Sequence, residues 1–328
     1  MTPIERLDFN AAELVREHPP AWRNSNKQVV YEIACPPGSV HHGRIGFTRW
    51  EATVVPAAVE SARADLVLAR PGFYDYAPVL EPTEAVEWYV NFADPHLFVA
   101  YGGPLFAQDE IQVAEHPALG ALREALDAAR IQSTTLGRAG PTPILVTGVE
   151  RLVSIKTGPD AAAGRPRGLY GNEFARADPE AVRQATSRID PPTISNLIAM
   201  SAPPGGYGAY RQDVIEAILT TAYTGFHAAV LESARLRGEG TPVAVHTGYW
   251  GCGAFGGNRV LMALLQVAAA EVAGLDRLAF HIGARGGEQP LEKALGTLAG
   301  LGSDRIETRA LVEKLVGMGF EWGVSDGN

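Results

Sequence analysis

The chain reads as an α/β protein with a mostly parallel sheet held between helices, and two observations predict this. From residue 86 onward, short apolar runs of strand length alternate with longer segments of helical spacing. The stretch 243–273 runs as a buried strand, a glycine loop and then a buried helix. Sequences that alternate strands with helices in this way build layered sheets covered by helices on both faces.

The first 80 residues mix short helical and extended patterns. Residues 28–35 (Q-V-V-Y-E-I-A-C) read as a strand closed by Pro36-Pro37-Gly38, and residues 51–64 carry an apolar helical face. Residues 86–92 and 97–101 read as extended. Gly102-Gly103-Pro104 forms a turn, and a helix starts near Ala107 and is stopped by Pro117. A second helix covers about 119–129, and residues 144–147 form a buried strand. Residues 158–166 are a small-residue loop, and 196–201 are again a strand. Val214, Ile218, Leu219, Ala222 and Tyr223 give 213–231 a helical spacing. After the strand at 243–246, the glycine loop and the helix at 260–273 come a strand at 278–282 and amphipathic helices near 291–298 and 308–318.

The chain has 328 residues, of which 46% are apolar and 20% charged, an ordinary globular composition. A net charge of −9 argues against a general nucleic-acid binder, which usually presents a basic face. Cys35 and Cys252 are the two cysteines, so no disulfide framework organises the fold, and Cys252 reads as a small buried thiol. His41 and His42 sit in a loop without partners at ligand spacing, so no metal is expected. The first residues lack a basic-then-apolar leader pattern, and no apolar run reaches membrane-spanning length. A cytoplasmic protein without membrane contact is expected.

Two stretches carry candidate chemistry. In 247–257 (T-G-Y-W-G-C-G-A-F-G-G), glycines let a ligand approach the backbone, and the following helix offers N–H groups to a phosphate. The same stretch also fits a tight turn in which Trp250 and Phe255 plug the core. In 102–110, a diglycine turn feeds a helix whose first turn carries Asp109 and Glu110. A carboxyl there suits general acid/base work, and acidic residues are equally favoured in first turns for helix stability alone.

Taken in order, V-N-F-A-D (90–94), Y-G-G-P-L-F-A-Q-D-E-I (101–111), A-Y-T-G-F (222–226) and the 247–257 stretch resemble the poly(ADP-ribose) glycohydrolase family of macrodomains. The resemblance covers roughly residues 86–283. It implies a three-layer α/β/α macrodomain with a mixed sheet over 81–328, and an N-terminal accessory region over 1–80 packed on the core. It also implies ADP-ribose, or an ADP-ribosylated protein, as the partner, with no cofactor. The family's glycine loop leads into Gln-Glu-Glu, matched here by Gln108-Asp109-Glu110. This implies that Glu110 is the catalytic acid/base and that Asp109 holds the ribose hydroxyls. Gly102 and Gly103 match two of the loop's three glycines. The family's Thr-Gly-Asn-Trp becomes Thr247-Gly248-Tyr249-Trp250, and its Phe-Ala-Asn becomes Phe92-Ala93-Asp94. The diphosphate is implied to lie against the backbone of Gly253 to Gly257, with Gly251, Ala254 and Gly256 among the substrate-binding residues and Phe255 lining the distal ribose pocket.

Departures from the family cluster at the reacting end. Asp94 adds a third carboxylate, which suits a cationic leaving group such as an arginine guanidinium. Thr157-Gly158 is followed by Pro159 in place of the family's tyrosine clasp. The adenine-stacking aromatic of the last strand is replaced near Phe280-His281-Ile282. The implied activity is hydrolysis at C1″ of protein-linked ADP-ribose, more in keeping with mono-ADP-ribose. Polymer cleavage and non-catalytic ADP-ribose binding are the alternatives.

Overall fold

The computed structural model describes residues 1–60, 63, 65–81, 83–283, 286–301 and 305–327. Its first half contains β1 (Pro3–Asn10), α1 (Ala11–Glu17), α2 (Ser25–Ala34), β2 (Arg44–Trp50), β3 (Ala58–Glu60), β4 (Val67–Arg70), β5 (Val86–Phe92), α3 (Gln108–Glu115) and α4 (Ala118–Ala128). Then come β6 (Leu136–Gly137), β7 (Gly140–Pro141), β8 (Ile144–Ile155), α5 (Glu173–Arg176), α6 (Pro179–Ala185), β9 (Thr186–Met200) and α7 (Gln212–Arg237). The chain continues through β10 (Val243–Gly248), α8 (Arg259–Ala273), β11 (Arg277–His281), α9 (Glu288–Gly300), β12 (Arg305–Glu307) and α10 (Thr308–Gly317).

Eight strands form one mixed sheet in the order β1-β2-β8-β9-β5-β10-β11-β4. The half from β9 to β4 is parallel, and the half from β1 to β9 is antiparallel. The strand period of two sorts β5 between two cores. Val86, Trp88 and Val90 face a core shared with α7, α8, α9 and α10. Asn91 faces the opposite side, where α3 packs. That second side carries α1, α3 and α4, with α2, α5 and α6 around a smaller cluster centred on Phe106 and Phe174.

Several elements differ from the sequence expectation. Residues 28–35 are not a strand but lie mostly in α2, because Asn24 caps the helix by accepting from the Asn26 and Lys27 amides at 3.0 and 3.3 Å. Val30 and Ala34 are then buried on one helical face, and this packing overrides the β-preference of Val-Val-Tyr. Residues 51–60 do not form a helix: Pro56 interrupts them, and β3 pairs with β12. Residues 61, 62 and 64 of the expected helix lie outside the described residues. Residues 97–101 form successive turns, with amides donating three residues back at Val99 and Tyr101. Those turns bury Leu97, Phe98 and Tyr101 together. The antiparallel ladder extends β8 and β9 to 12 and 15 residues, far beyond their apolar cores.

Residues 1–80 supply β1, β2 and β4 of the main sheet, so they are woven into it rather than packed beside it. At 26 residues, α7 is long and apolar enough to span a bilayer, contrary to the sequence reading. Its apolar surface is mostly buried against α8 and the sheet. Phe226 lies on that surface with no solvent exposure. Phe226→Ala is therefore expected to lower stability by about 3–5 kcal/mol, read from denaturant unfolding.

Candidate active site at the ends of the parallel strands

β5 pairs with β10 only as far as Tyr89 and His246, while its pairing with β9 continues to Phe92 and Met200. Two side chains occupy the gap that opens beyond Tyr89. The Gln108 amide accepts from the Phe92 N–H at 2.7 Å and donates to the Val90 carbonyl at 3.1 Å. The Tyr74 hydroxyl lies 3.0 Å from the Val90 carbonyl and 3.1 Å from that of His246. Gln108 thereby clamps the head of α3 to the strand end.

The clamp sets the acid pair. Asn91 donates to Asp109 Oδ1 at 3.0 Å and to Gln112 Oε1 at 2.9 Å. Glu110 Oε2 accepts from the Ala107 N–H at 2.9 Å, half of a capping box. The two acids are only 6% and 3% exposed. Burial, and next the adjacent Glu110, push the Asp109 carboxyl up to about 8; Asn91 and Lys27 oppose the rise and Asp94 adds to it. Asp94 makes no direct bond to the pair. Its Oδ1 accepts from the His96 N–H at 2.9 Å, and the side chain is 46% exposed.

Sequence reasoning missed Lys27. Its Nζ donates to the Tyr101 carbonyl at 2.6 Å and the Ala100 carbonyl at 3.4 Å, and no part of the residue meets solvent. Burial pulls this ammonium down to about 8, while Glu110 and Asp109 hold it up. The missed signal is helical: Lys27, Val30 and Ala34 follow the i, i+3, i+7 spacing of an apolar face, hidden by reading the segment as a strand.

Glycines in both loops admit close packing within the chain. The Gly102 carbonyl accepts from Arg23 and Asn24 at 2.9 and 3.0 Å, and a Cβ on Gly102 would run into the Ala21 carbonyl. Gly103 closes the turn by donating to Ala100 at 2.9 Å. Thr247 is buried and donates to Gln266 of α8 rather than facing a ligand. Trp250 takes the core-plugging alternative: it is 1% exposed and its indole N–H donates to the Met200 carbonyl at 3.0 Å. A Cβ on Gly251 would overlap Ala202. Asn258 caps α8 by accepting from Val260 and Leu261, so those two amides are not open to a phosphate. The Cys252 thiol is pushed up to about 12 by burial, as a packing thiol should be. Tyr249 bonds the Gly287 carbonyl and lies under the Arg259 guanidinium at 5.3 Å; Phe255 is half-buried and Ala254 exposed.

The C-terminal tail covers part of this loop. Gly323 donates to the Gly256 carbonyl at 2.8 Å and Asp326 to the Gly253 carbonyl at 3.4 Å. A Cβ on Gly253 would stand 3.1 Å from the Asp326 carboxylate, and one on Gly256 3.0 Å from the Ser325 amide. Trp322 anchors the tail by stacking on Tyr210 at 4.2 Å. The Tyr170 hydroxyl is pushed up to about 12 by burial and then by the charges of Asp326 and Glu110, while a hydrogen bond at the Gln108 backbone opposes the rise, so this tyrosine lies near the tail and the head of α3. Thr157 accepts from the Leu169 amide at 2.8 Å, which positions Tyr170, so a tyrosine comes near the head of α3 from outside the Thr157-Gly158-Pro159 stretch. Phe280 and Ile282 are buried, and His281 is tied to His246 Nδ1 at 3.0 Å; none offers an exposed ring. The exposed Phe73 packs near Gly283, with its ring parallel to Tyr170 at 6.4 Å.

His41 has spatial partners that the sequence spacing hid: Cys35 Sγ at 3.6 Å and Glu150 Oε2 at 3.4 Å. Burial pushes the Cys35 thiol up to about 12, and among the described residues no group of three such side chains is placed to hold a metal ion.

Residues 169–285, about a third of the chain, match the family described as poly (ADP-ribose) glycohydrolase (PARG), macro domain fold. No curated protein matches the chain. Among solved structures, the chain is similar to poly(ADP-ribose) glycohydrolase from Thermomonospora curvata at 14% identity and TM-score 0.43, covering 84% of this chain and 99% of that one. The same enzyme bound to the inhibitor ADP-HPD scores 0.46 at 14% identity, with coverages of 83% and 98%. The Deinococcus radiodurans enzyme in complex with ADP-ribose scores 0.43 at 14% identity, with coverages of 90% and 94%.

Two expectations follow from the site. Asp109 holds its proton to about 8 in the fold, against 3.8 when free, so folding takes up a proton between these values. Its cost to stability therefore grows as pH rises from about 4 to about 8 and is full above 8. In thermal melts, Asp109→Asn should exceed the parent by about 2 °C or more at pH 8.5, with the gap closing towards pH 4. Trp322→Ala should release the tail, so that amide hydrogen exchange across 249–258 quickens while β5 and β10 keep the parent's protection.

Proposed function

Taking the chain as a divergent poly(ADP-ribose) glycohydrolase-like macrodomain, we propose that it is a glycosidase-type hydrolase that cleaves ADP-ribose at C1″. The observation that carries this reading is the buried pair Asp109–Glu110 at the head of α3, which Gln108 clamps to the end of β5, the strand beside the β10 that leads into the second glycine loop. Glu110 protonates the leaving group and then takes a proton from the attacking water. Asp109, oriented by Asn91, can donate as well as accept hydrogen bonds while it keeps its proton, and so holds the ribose hydroxyls. The diphosphate lies along the loop at Gly253–Gly256 beside the tail, and the adenine end points to Phe73 and Tyr170. The reaction as written draws on these side chains and water.

We further propose protein-linked mono-ADP-ribose as the substrate, with arginine as a linkage. Support comes from Asp94, whose half-exposed carboxylate adds negative charge near Asp109 and suits a guanidinium leaving group. Mass spectrometry of ADP-ribose release from polymer, arginine-linked and serine- or glutamate-linked substrates tests both levels. Glu110→Gln should lower turnover by about 10²–10⁴ while calorimetric ADP-ribose affinity stays within about threefold. Release from polymer alone would sink the mono-ADP-ribose reading. No release from any substrate, with binding intact, would leave a non-catalytic binding module.

A further inference from the structure

A lysine sealed behind the acid pair has no part in the reaction as written. Lys27 comes from α2, within the first 80 residues, and a fully buried ammonium is rare because removal from water is costly. Its Nζ holds the Ala100 and Tyr101 carbonyls at one end of the loop into α3. It also lies 5.7 Å from the centre of the Phe106 ring at the other end, and Phe106 stacks on Phe174 at 3.7 Å. The next residue is Ala107, whose N–H fixes Glu110. Arg23 and Asn24, a few residues before Lys27, hold the Gly102 carbonyl between those ends. One N-terminal segment thus grips the loop at its beginning, middle and end. The charged and titratable groups facing this space are Glu110 and Asp109 from α3, Arg23 from the segment before α2, Asp94 from the end of β5, and Tyr170 with Asp326 of the tail.

We propose that Lys27 is a positioning residue: its buried ammonium fixes the 100–107 loop beneath Glu110 and supplies the positive charge that lets two carboxyls share one dry site. The proposal rests on the glycohydrolase reading for its purpose, but its test need not depend on turnover.

The Asp109 carboxyl is followed by 13C NMR titration in the parent, Lys27→Gln, Lys27→Arg and Val30→Ala. Gln keeps a donor without the charge, Arg keeps the charge, and Val30→Ala loosens the same helix face without touching either. The midpoint should rise by about one pH unit in Lys27→Gln and stay near the parent's in the other two. In an active parent, the basic limb of the kcat/KM profile should move by the same amount, with KM within about twofold. Equal midpoints in Lys27→Gln and Lys27→Arg, or an equal shift in Val30→Ala, would overturn the proposal. Should Lys27→Gln fail to fold, the reciprocal measurement decides: the Lys27 ammonium should titrate lower in Glu110→Gln than in the parent, and an unchanged midpoint overturns the proposal. A parent that releases no ADP-ribose fails the glycohydrolase reading alone, since both NMR measurements still stand.

Discussion

Two carboxyls and an ammonium are buried around the head of α3, and the surrounding fold keeps all three partnered. A lone charge there would cost several kcal/mol, so each group needs a fixed dipole or an opposite charge close by. Asn91 of β5, and the Ala107 N–H and Tyr101 carbonyl of the loop into α3, provide those partners. Their agreement depends on one event in the sheet, the end of the β5–β10 ladder at Tyr89 and His246. That ending frees backbone groups of β5 for Gln108, and Gln108 in turn fixes where α3 begins.

The chain's two ends finish the site. The segment Ala21–Asn24 presses on Gly102, and the tail from Trp322 to Asp326 lies along Gly253 and Gly256. Absent Cβ atoms at Gly102 and Gly256 therefore admit backbone from within the chain. A glycine loop marks a close approach, and the approaching partner can be protein as well as ligand. The tail is held by a ring stack and a few hydrogen bonds, whereas β10 is buried throughout and β5 and α8 are mostly buried. Local opening thus begins at the tail and not in the sheet.

The residues of the candidate site were partly legible. Asp109 and Glu110 stand out because they follow a diglycine turn at a helix start, and both are buried there. Trp250 and Thr247 lie in the most distinctive stretch of the chain, yet both face inward; a motif tells that a residue type is needed and not which way it points. Lys27 was hidden by a local error, since Val-Val-Tyr favours a strand until the Asn24 cap and the packing of Val30 and Ala34 are counted. The tail was illegible because Trp322 and Asp326 reach Tyr210 and the glycine loop across more than 70 residues, and no local pattern records such a contact.

By itself the sequence determined the alternation of strands and helices from residue 86, the two loops at strand ends, and the acid pair, because local periodicity, glycine and helix-start chemistry are short-range effects. Tertiary structure alone decided that residues 1–80 enter the main sheet, which strands make its antiparallel side, that a buried lysine holds the loop into α3, and that the tail lies on the second glycine loop. Those outcomes depend on which surfaces leave water together and on which buried charges meet. Such choices are made between residues distant in the chain, and only the assembled fold can make them.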